Sequence, residues 1–260
     1  MESISAIAKN RHLSILDLLD KQGNVKVEDL SVALSVSPVT VRRDLDYLNS
    51  KGVLIRTHGG ASILKERKDT LMERKFIEKD IMNVYEKRKI AERADELITN
   101  DATIFMNSGS TVLFFLRALR GKRAQVFTNN AAAISCERDP LVELIILGGH
   151  YRESSQSFVG EIAVNMMRGF FSDFTILGTN GISIDLGLTT SVQQECGINR
   201  AMIENTHGKV IALADSTKLG KSSNFVSSPL ESVNVLITDS KCPEVLKNEL
   251  ETHGIEVLVV

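Results

Sequence analysis

Between residues 90 and 260, short apolar runs alternate with amphipathic segments, an order that few folds accept. Runs at 102–106, 125–127, 144–147, 174–177, 210–213, 235–237 and 257–260 have the length and composition of strands. Segments at 111–120, 131–137, 161–168, 193–205 and 243–253 have helical spacing. Strands separated by helices predict an α/β domain on a mostly parallel, Rossmann-like sheet, because a parallel pair needs a crossover that a helix supplies. With 260 residues, 43% hydrophobic and 25% charged, the chain has material for such a core and a second, smaller domain.

In a sheet of this kind ligands sit beyond the carboxyl ends of the strands, and the turns there are small and polar. Asn107-Ser108-Gly109-Ser110-Thr111 follows the first run, Thr128-Asn129 the second, Gly148-Gly149 the third and Gly178-Thr179-Asn180-Gly181 the fourth. Asp215-Ser216-Thr217-Lys218 follows the fifth. Hydroxyls and backbone N–H groups at a helix start suit an anion, and Lys218 adds a cation. Any one of these is an ordinary strand-to-helix turn; five in succession predict a phosphate-bearing ligand.

The first 62 residues have a different texture. Residues 11–22 read as a helix carrying Leu13, Leu16 and Leu19, stopped by Gly23-Asn24. A short helix follows at 27–34, then the turn Ser35-Val36-Ser37. Pro38 can open the next helix with Ser37 as its N-cap, and Val41, Leu45 and Leu48 form its buried stripe. Thr40, Arg42 and Arg43 lie off that stripe. A hydroxyl and two adjacent guanidiniums on a short, apolar-backed helix suit insertion into a DNA major groove. Residues 52–61 alternate weakly and break at Gly59-Gly60, as a β-ribbon or wing would; Lys51, Arg56 and His58 are placed to touch the DNA backbone. The same pattern could build a protein-interaction module, and an Arg-Arg pair is often only a solvated face. Its coincidence with helix, turn and wing favours DNA.

Residues 63–89 hold dense charge without Gly or Pro and read as a helical connector, so the expected division is 1–62, 63–89 and 90–260. Charge agrees modestly: 17 Lys/Arg stand against 13 Asp/Glu through Lys89, and 14 against 20 thereafter. No apolar run nears the ~20 residues of a membrane span, and the first residues lack a signal-peptide pattern. Cys136, Cys196 and Cys242 lack CxxC spacing, and the histidines lack ligand spacing, so neither metal nor cofactor is expected. A cytoplasmic protein with reduced thiols is the expectation.

Ser-Val-Ser-Pro-Val-Thr-Val-Arg-Arg-Asp-Leu at 35–45 and the His-Gly-Gly-Ala at 58–61 resemble the N-terminal domain of the DeoR family of bacterial transcriptional regulators. Asn-Ser-Gly-Ser-Thr at 107–111, Thr-Asn-Asn at 128–130, Leu-Gly-Gly-His-Tyr-Arg at 147–152, Phe-Val-Gly at 158–160, Asp-Leu-Gly-Leu-Thr at 185–189 and Ala-Asp-Ser-Thr-Lys at 214–218 resemble that family's effector domain, in order. The resemblance implies a winged helix-turn-helix with Thr40, Arg42 and Arg43 at double-stranded operator DNA. It also implies a domain similar to ribose-5-phosphate isomerase and glucosamine-6-phosphate deaminase that senses a phosphorylated sugar, with Asp185 among the site residues. The pattern departs at Asn107, Val112 and Asn199, where the family often has Asp, Thr and Lys.

The leading expectation is a repressor of a carbohydrate operon, acting as a homodimer or higher homo-oligomer, since two half-sites about one helical turn apart need two heads. An isomerase or deaminase with a DNA-binding head is the competing class. It would need acid/base groups drawn from Asp185, Glu195, Asp215, His150 and His207. A C-terminal domain that only oligomerises is a third reading.

Overall fold

The computed structural model describes residues 6–50, 54–63, 76–80 and 82–260. The chain divides into two compact units: one holds the described residues up to Ile63 with those of 77–85, the other Phe76 and Glu86–Val260.

In the first unit α1 (Ala6–Gln22) buries Leu13, Ile15, Leu16 and Leu19. It ends at Gly23, whose φ of +73° is the left-handed geometry a helix stop needs and whose N–H bonds the Leu19 carbonyl at 2.8 Å. The next residues are not loop. Asn24–Lys26 forms β1, which runs straight into α2 (Val27–Ala33), with Glu28 and Asp29 in the first turn, where a helix dipole favours acids. The Ser31 hydroxyl donates to the Val36 carbonyl at 2.6 Å and pins the turn. Then comes α3 (Pro38–Ser50), and β2 (Leu54–Thr57) and β3 (Gly60–Ile63) close a sheet in the order β1-β3-β2. This is a winged helix-turn-helix whose wing turns at His58-Gly59. Gly60 lies where β3 crosses β1: a Cβ there would stand 1.8 Å from the Val25 carbonyl oxygen, whereas one on Gly59 would meet nothing.

Of α4 (Phe76–Asp80) all but Phe76 belongs to the first unit, and α5 (Val84–Leu97) belongs to the second from Glu86 onward. Residues 64–75 of the expected connector lie outside the described ones. The border expected between 89 and 90 falls inside α5, which is unbroken. The chain continues as β4 (Ala102–Met106), α6 (Ser110–Ala118), β5 (Ala124–Thr128), β6 (Val142–Ile146), β7 (His150–Arg152), β8 (Ser157–Val159), α7 (Glu161–Met166), β9 (Ser172–Gly178), β10 (Gly181–Ser183), β11 (Gly187–Thr190), α8 (Gln193–Glu204), β12 (Thr206–Leu213), β13 (Phe225–Ser228), β14 (Val235–Thr238), α9 (Glu244–Thr252) and β15 (Glu256–Val259).

Seven strands form one sheet in the order β15-β14-β12-β9-β4-β5-β6, every neighbouring pair parallel. Apolar side chains fill it, among them Phe105 and Phe127, whose rings meet edge-on at 5.7 Å, with Ile198 and Met202 of α8. A second cluster joins Leu177, Ala212 and Leu236 to Leu250 of α9. The expected helix at 131–137 is instead a 3-10 turn over Ala131–Ser135, capped by the Asn130 side chain and ended by an extended Cys136. With an extended residue directly after it the segment cannot lengthen, and the tighter form serves such short pieces. The hairpin β7-β8 and the antiparallel set β10-β11-β13 lie outside the main sheet.

Gly60→Ala should destabilise the head by about 1–3 kcal/mol, the usual cost of overpacking, while Gly59→Ala should cost less than half as much. Amide hydrogen exchange of α1 and α3 in the full chain measures both; equal effects would contradict the close crossing of β3 over β1.

Candidate functional site

The first site is the outward face of α3. Ser37 caps the helix: its Oγ accepts the Thr40 N–H at 3.2 Å and pairs with the Thr40 hydroxyl at 2.9 Å. Val41, Leu45 and Leu48 are buried as their spacing requires, and Arg42 and Arg43 are exposed. Thr40 is half-buried beside its cap, so Ser37, Thr40, Arg42 and Arg43 gather along the first two turns.

What turns the arginines outward is the next residue. Asp44 is 5% exposed, and its carboxylate accepts Arg11 Nε at 2.5 Å and Nη2 at 2.9 Å, with His12 Nε2 at 2.9 Å from the same group. The hydrogen bond to Asp44, with that group's charge, raises the Arg11 pKa against the opposing effect of burial. The His12 ring stacks on Tyr47 at 5.1 Å. A carboxylate inside an Arg-Arg-Asp run reads as one more surface charge; the signal that would have exposed it is its place on the Val41–Leu48 stripe, one turn from each end.

Arg56 is tied within the wing. Its Nε donates to Asp46 at 2.9 Å, its Nη1 to the Gly60 carbonyl at 2.5 Å, and its N–H to Asn49 Oδ1 at 3.2 Å. The guanidinium expected at DNA phosphate therefore braces α3 against the ribbon. His58 is exposed at the wing turn, and Lys51 lies outside the described residues.

The second site lies where the strand order reverses. From β4 the chain steps to β5 and β6 on one side and returns through β9 and β12 on the other, so the switch point, outside which such sheets have their crevice, falls between the ends of β4 and β9. Asn107 stands there, 3% exposed. Its Oδ1 accepts the Gly178 N–H at 2.8 Å, and its Nδ2 donates to the Gly178 carbonyl at 2.9 Å and to Asn199 Oδ1 at 3.2 Å. Asn199 passes the chain on to the Ser227 hydroxyl at 2.7 Å. A carboxamide supplies both the donor and the acceptor that a backbone amide needs, whereas a carboxylate could only accept. The departure at Asn107 is matched by the one at Asn199, and a neutral network replaces an acid and a cation. Val112 is fully buried in α6, where a methyl packs and a hydroxyl would need a partner.

Around this network, Glu195 in the first turn of α8 accepts from Thr190 Oγ1 at 2.8 Å and from Ser108 Oγ at 3.5 Å. Asn130 donates to the Gly109 carbonyl at 3.1 Å, and its N–H reaches Thr128 Oγ1 at 3.1 Å. Asn129 is fully buried, donates to the Phe158 carbonyl at 2.8 Å, and keeps its Oδ1 without a partner. Ser108, Gly109, Ser110 and Thr111 run from β4 into α6, with Thr128 and Asn129 on the adjoining strand end and Gly148 and Gly149 one strand further.

Asp215 and Lys218 lie past β9 on the other side. Burial pushes the Asp215 carboxyl up, but the charges of Lys218 and Lys87 and the hydrogen bonds from Thr217 hold it below its ordinary value. Lys87, 3% exposed in α5, belonged to the expected linker and was not foreseen here. From β12 to β6 is four strand spacings, roughly 19 Å at ~4.8 Å each. Lys218 and Gly149 therefore flank the switch point from opposite sides. Asp185 is not brought in: it is exposed in the turn joining β10 to β11, at the opposite end of that hairpin from Gly181 and Thr189.

The groups an acid/base enzyme would need are scattered. His207 stacks on Phe171 at 4.4 Å at the start of β12, the far end of the sheet from Asp215, and His150 is exposed on β7. An open groove of about 490 Å³ runs along α7 and the first turn of α8, lined by Glu161, Arg168, Gln193 and Gln194 among others, and includes none of the expected effector residues. Its walls are exposed or half-exposed, whereas the crevice gathers Asn107, Asn199 and Glu195 as buried polar groups. Among the described residues no helix is long and apolar enough to cross a membrane.

A winged helix-turn-helix with an exposed arginine pair, joined to a parallel α/β domain with a polar crevice at its switch point, defines a DNA-binding transcriptional regulator with a sensor domain. Residues 11–67 match the DeoR-like helix-turn-helix domain and residues 82–240 the DeoR C terminal sensor domain. The chain is 32% identical over 252 residues to the HTH-type transcriptional regulator GolR of Listeria innocua, covering 96% of this chain and 97% of that one. It is 32% identical to the lactose phosphotransferase system repressor of Lactococcus lactis, over 90% of this chain and 91% of the other. Against the glycerol-3-phosphate regulon repressor of Escherichia coli it is 30% identical, over 95% and 97%. The chain belongs to the DeoR family. Among solved structures it is similar to a ribose 5-phosphate isomerase of Methanocaldococcus jannaschii at 16% identity and a TM-score of 0.36, over 51% of this chain and 53% of that one, a likeness too slight to argue from.

Asn107→Asp should destabilise the α/β domain by about 1–3 kcal/mol at neutral pH, because a carboxylate oxygen would face the Gly178 carbonyl. The folded state would raise that carboxyl's pKa, since only its protonated form can donate. The deficit should therefore be small in acid and grow as pH rises through the carboxylate range. Thermal melts of variant and parent across pH check this; a pH-independent deficit would contradict the donor role of the amide.

Proposed function

We propose that this protein represses a carbohydrate catabolic operon and that a phosphorylated sugar at the strand-end crevice modulates its hold on operator DNA. The observation that carries the reading is the exposed Arg42–Arg43 pair, set on the helix that a winged head presents to a major groove and opposite the stripe that buries Asp44. Arg42 and Arg43 read base edges or clamp phosphate, and Thr40 works from beside the cap made by Ser37. His58 and Lys51 contribute backbone contacts, and Arg56 acts as the strut that holds the wing in place. Two of the relatives named above are repressors whose names refer to a lactose phosphotransferase system and to a glycerol-3-phosphate regulon.

The crevice supports an anion at Ser108, Gly109, Ser110 and Thr111, where α6 begins, with the sugar's hydroxyls toward Thr128, Asn129 and Glu195. Gly148 and Gly149 shape one flank, and Asp215 with Lys218 the other; Asp185 lies outside the contact set. The protein acts in the cytoplasm as a homodimer or higher oligomer, because two half-sites need two heads. Coupling is reciprocal: a sugar phosphate that loosens DNA is itself loosened by DNA to the same factor.

Anisotropy titrations of a duplex selected by the protein from a randomised library test this. Arg42→Ala should weaken binding roughly tenfold or more, as loss of a bidentate base contact does, and leave sugar-phosphate binding intact. One or more sugar phosphates should shift the wild-type affinity. Undiminished binding by Arg42→Ala, or bound sugar phosphates that never alter DNA affinity, would overturn the corresponding half.

A further inference from the structure

Val39 is the second residue of α3 and 62% exposed, an apolar side chain on a face that is otherwise polar. At about 100° per residue it stands about 160° round the helix from Val41, between Arg42 at about 100° and Arg43 at about 200°. It therefore occupies the middle of the face turned away from the core, in the turn that enters a groove first. Its neighbours on the polar side are already engaged. The Thr40 hydroxyl is paired with Ser37, and the Asp46 carboxylate with Arg56. What α3 offers at its leading end is two guanidiniums with an isopropyl group between them.

Resting on the DNA-binding reading above, we propose that Val39 is a specificity-determining residue that reads thymine, by packing its methyls on the C5-methyl group in the major groove. The C5-methyl is the one apolar feature a base pair displays there, and apolar side chains are what recognise it. The flanking guanidiniums supply the attraction to the duplex that brings an apolar group to a polar groove, and they fix its height above the base edges. Placing Val39 against a thymine removes both methyl surfaces from water. At any other base the same isopropyl covers a hydrogen-bonding edge without satisfying it.

The test uses the full chain and the duplex it selects from a randomised library. Each thymine of that duplex is replaced in turn by deoxyuridine, which lacks only the methyl, and affinities are measured for wild type and Val39→Ala. Alanine keeps the helix, and position 39 is exposed, so folding is preserved; a melting temperature confirms it. At one or two positions in each half-site the wild type should bind deoxyuridine roughly three- to fivefold more weakly, the effect of about one buried methyl. At those positions Val39→Ala, with most of the isopropyl surface gone, should distinguish the two bases clearly less than the wild type does. If deoxyuridine weakens both proteins equally everywhere, or weakens neither, Val39 does not read the methyl, while enrichment of a duplex would still uphold DNA binding. If no duplex is enriched at all, both readings fall together.

Discussion

The head is organised by one carboxylate. Asp44 sits in the middle of the apolar stripe of α3 and accepts two hydrogen bonds from Arg11 and one from His12, joining the first and third helices through a group that would be costly to bury alone. Because it faces inward, helical geometry sends Arg42 and Arg43 outward. The same constraint fixes Tyr47, which stacks on His12, and leaves Asp46 on the solvent side to hold Arg56 and through it the wing. An Arg-Arg-Asp-Leu run thus divides its labour by direction: two cations for the surface, one anion for the interior, one leucine for the core.

In the α/β domain the corresponding part is played by a neutral amide. Asn107 prolongs the β4–β9 pairing with its side chain, matching the donor and the acceptor of Gly178, and hands its second proton to Asn199. The crevice at the switch point is in this way built of amides and hydroxyls around the single carboxylate of Glu195, while the charges of Asp215, Lys218 and Lys87 collect beyond β9. Hydrogen-bonding groups thus gather at the switch point, with a cation only at one side.

The parallel sheet could be read from the sequence because its strands carry short apolar stretches, the inner ones buried on both faces over much of their length. The recognition helix was equally legible: Pro38, Ser37 and three apolar residues at helical spacing leave little else for that stretch to be. Pieces whose identity depends on distant partners were not. Residues 24–26 become a strand only because β3, more than thirty residues later, lies beside them, and Gly60 makes the approach possible. The β7-β8 and β10-β11-β13 strands are short and half polar, so no run betrays them. Asp44, Lys87 and Arg56 were hidden for a common reason: a charged side chain in a charged stretch reads as solvated, and only the fold shows which of them turns inward. Asp185 is the reverse case: its motif points toward the site, while the structure sets it exposed in the turn joining β10 to β11.

The inward carboxylate is tested most directly by a double-mutant cycle over Arg11→Ala and Asp44→Ala, read as the opening free energy of α3 amides by hydrogen exchange in the full chain. If the pair holds the head together, the two substitutions should be non-additive by about 1–3 kcal/mol, the range for residues in direct contact. Strict additivity would mean that the two side chains do not hold one another, and the outward display of the arginines would then need another cause.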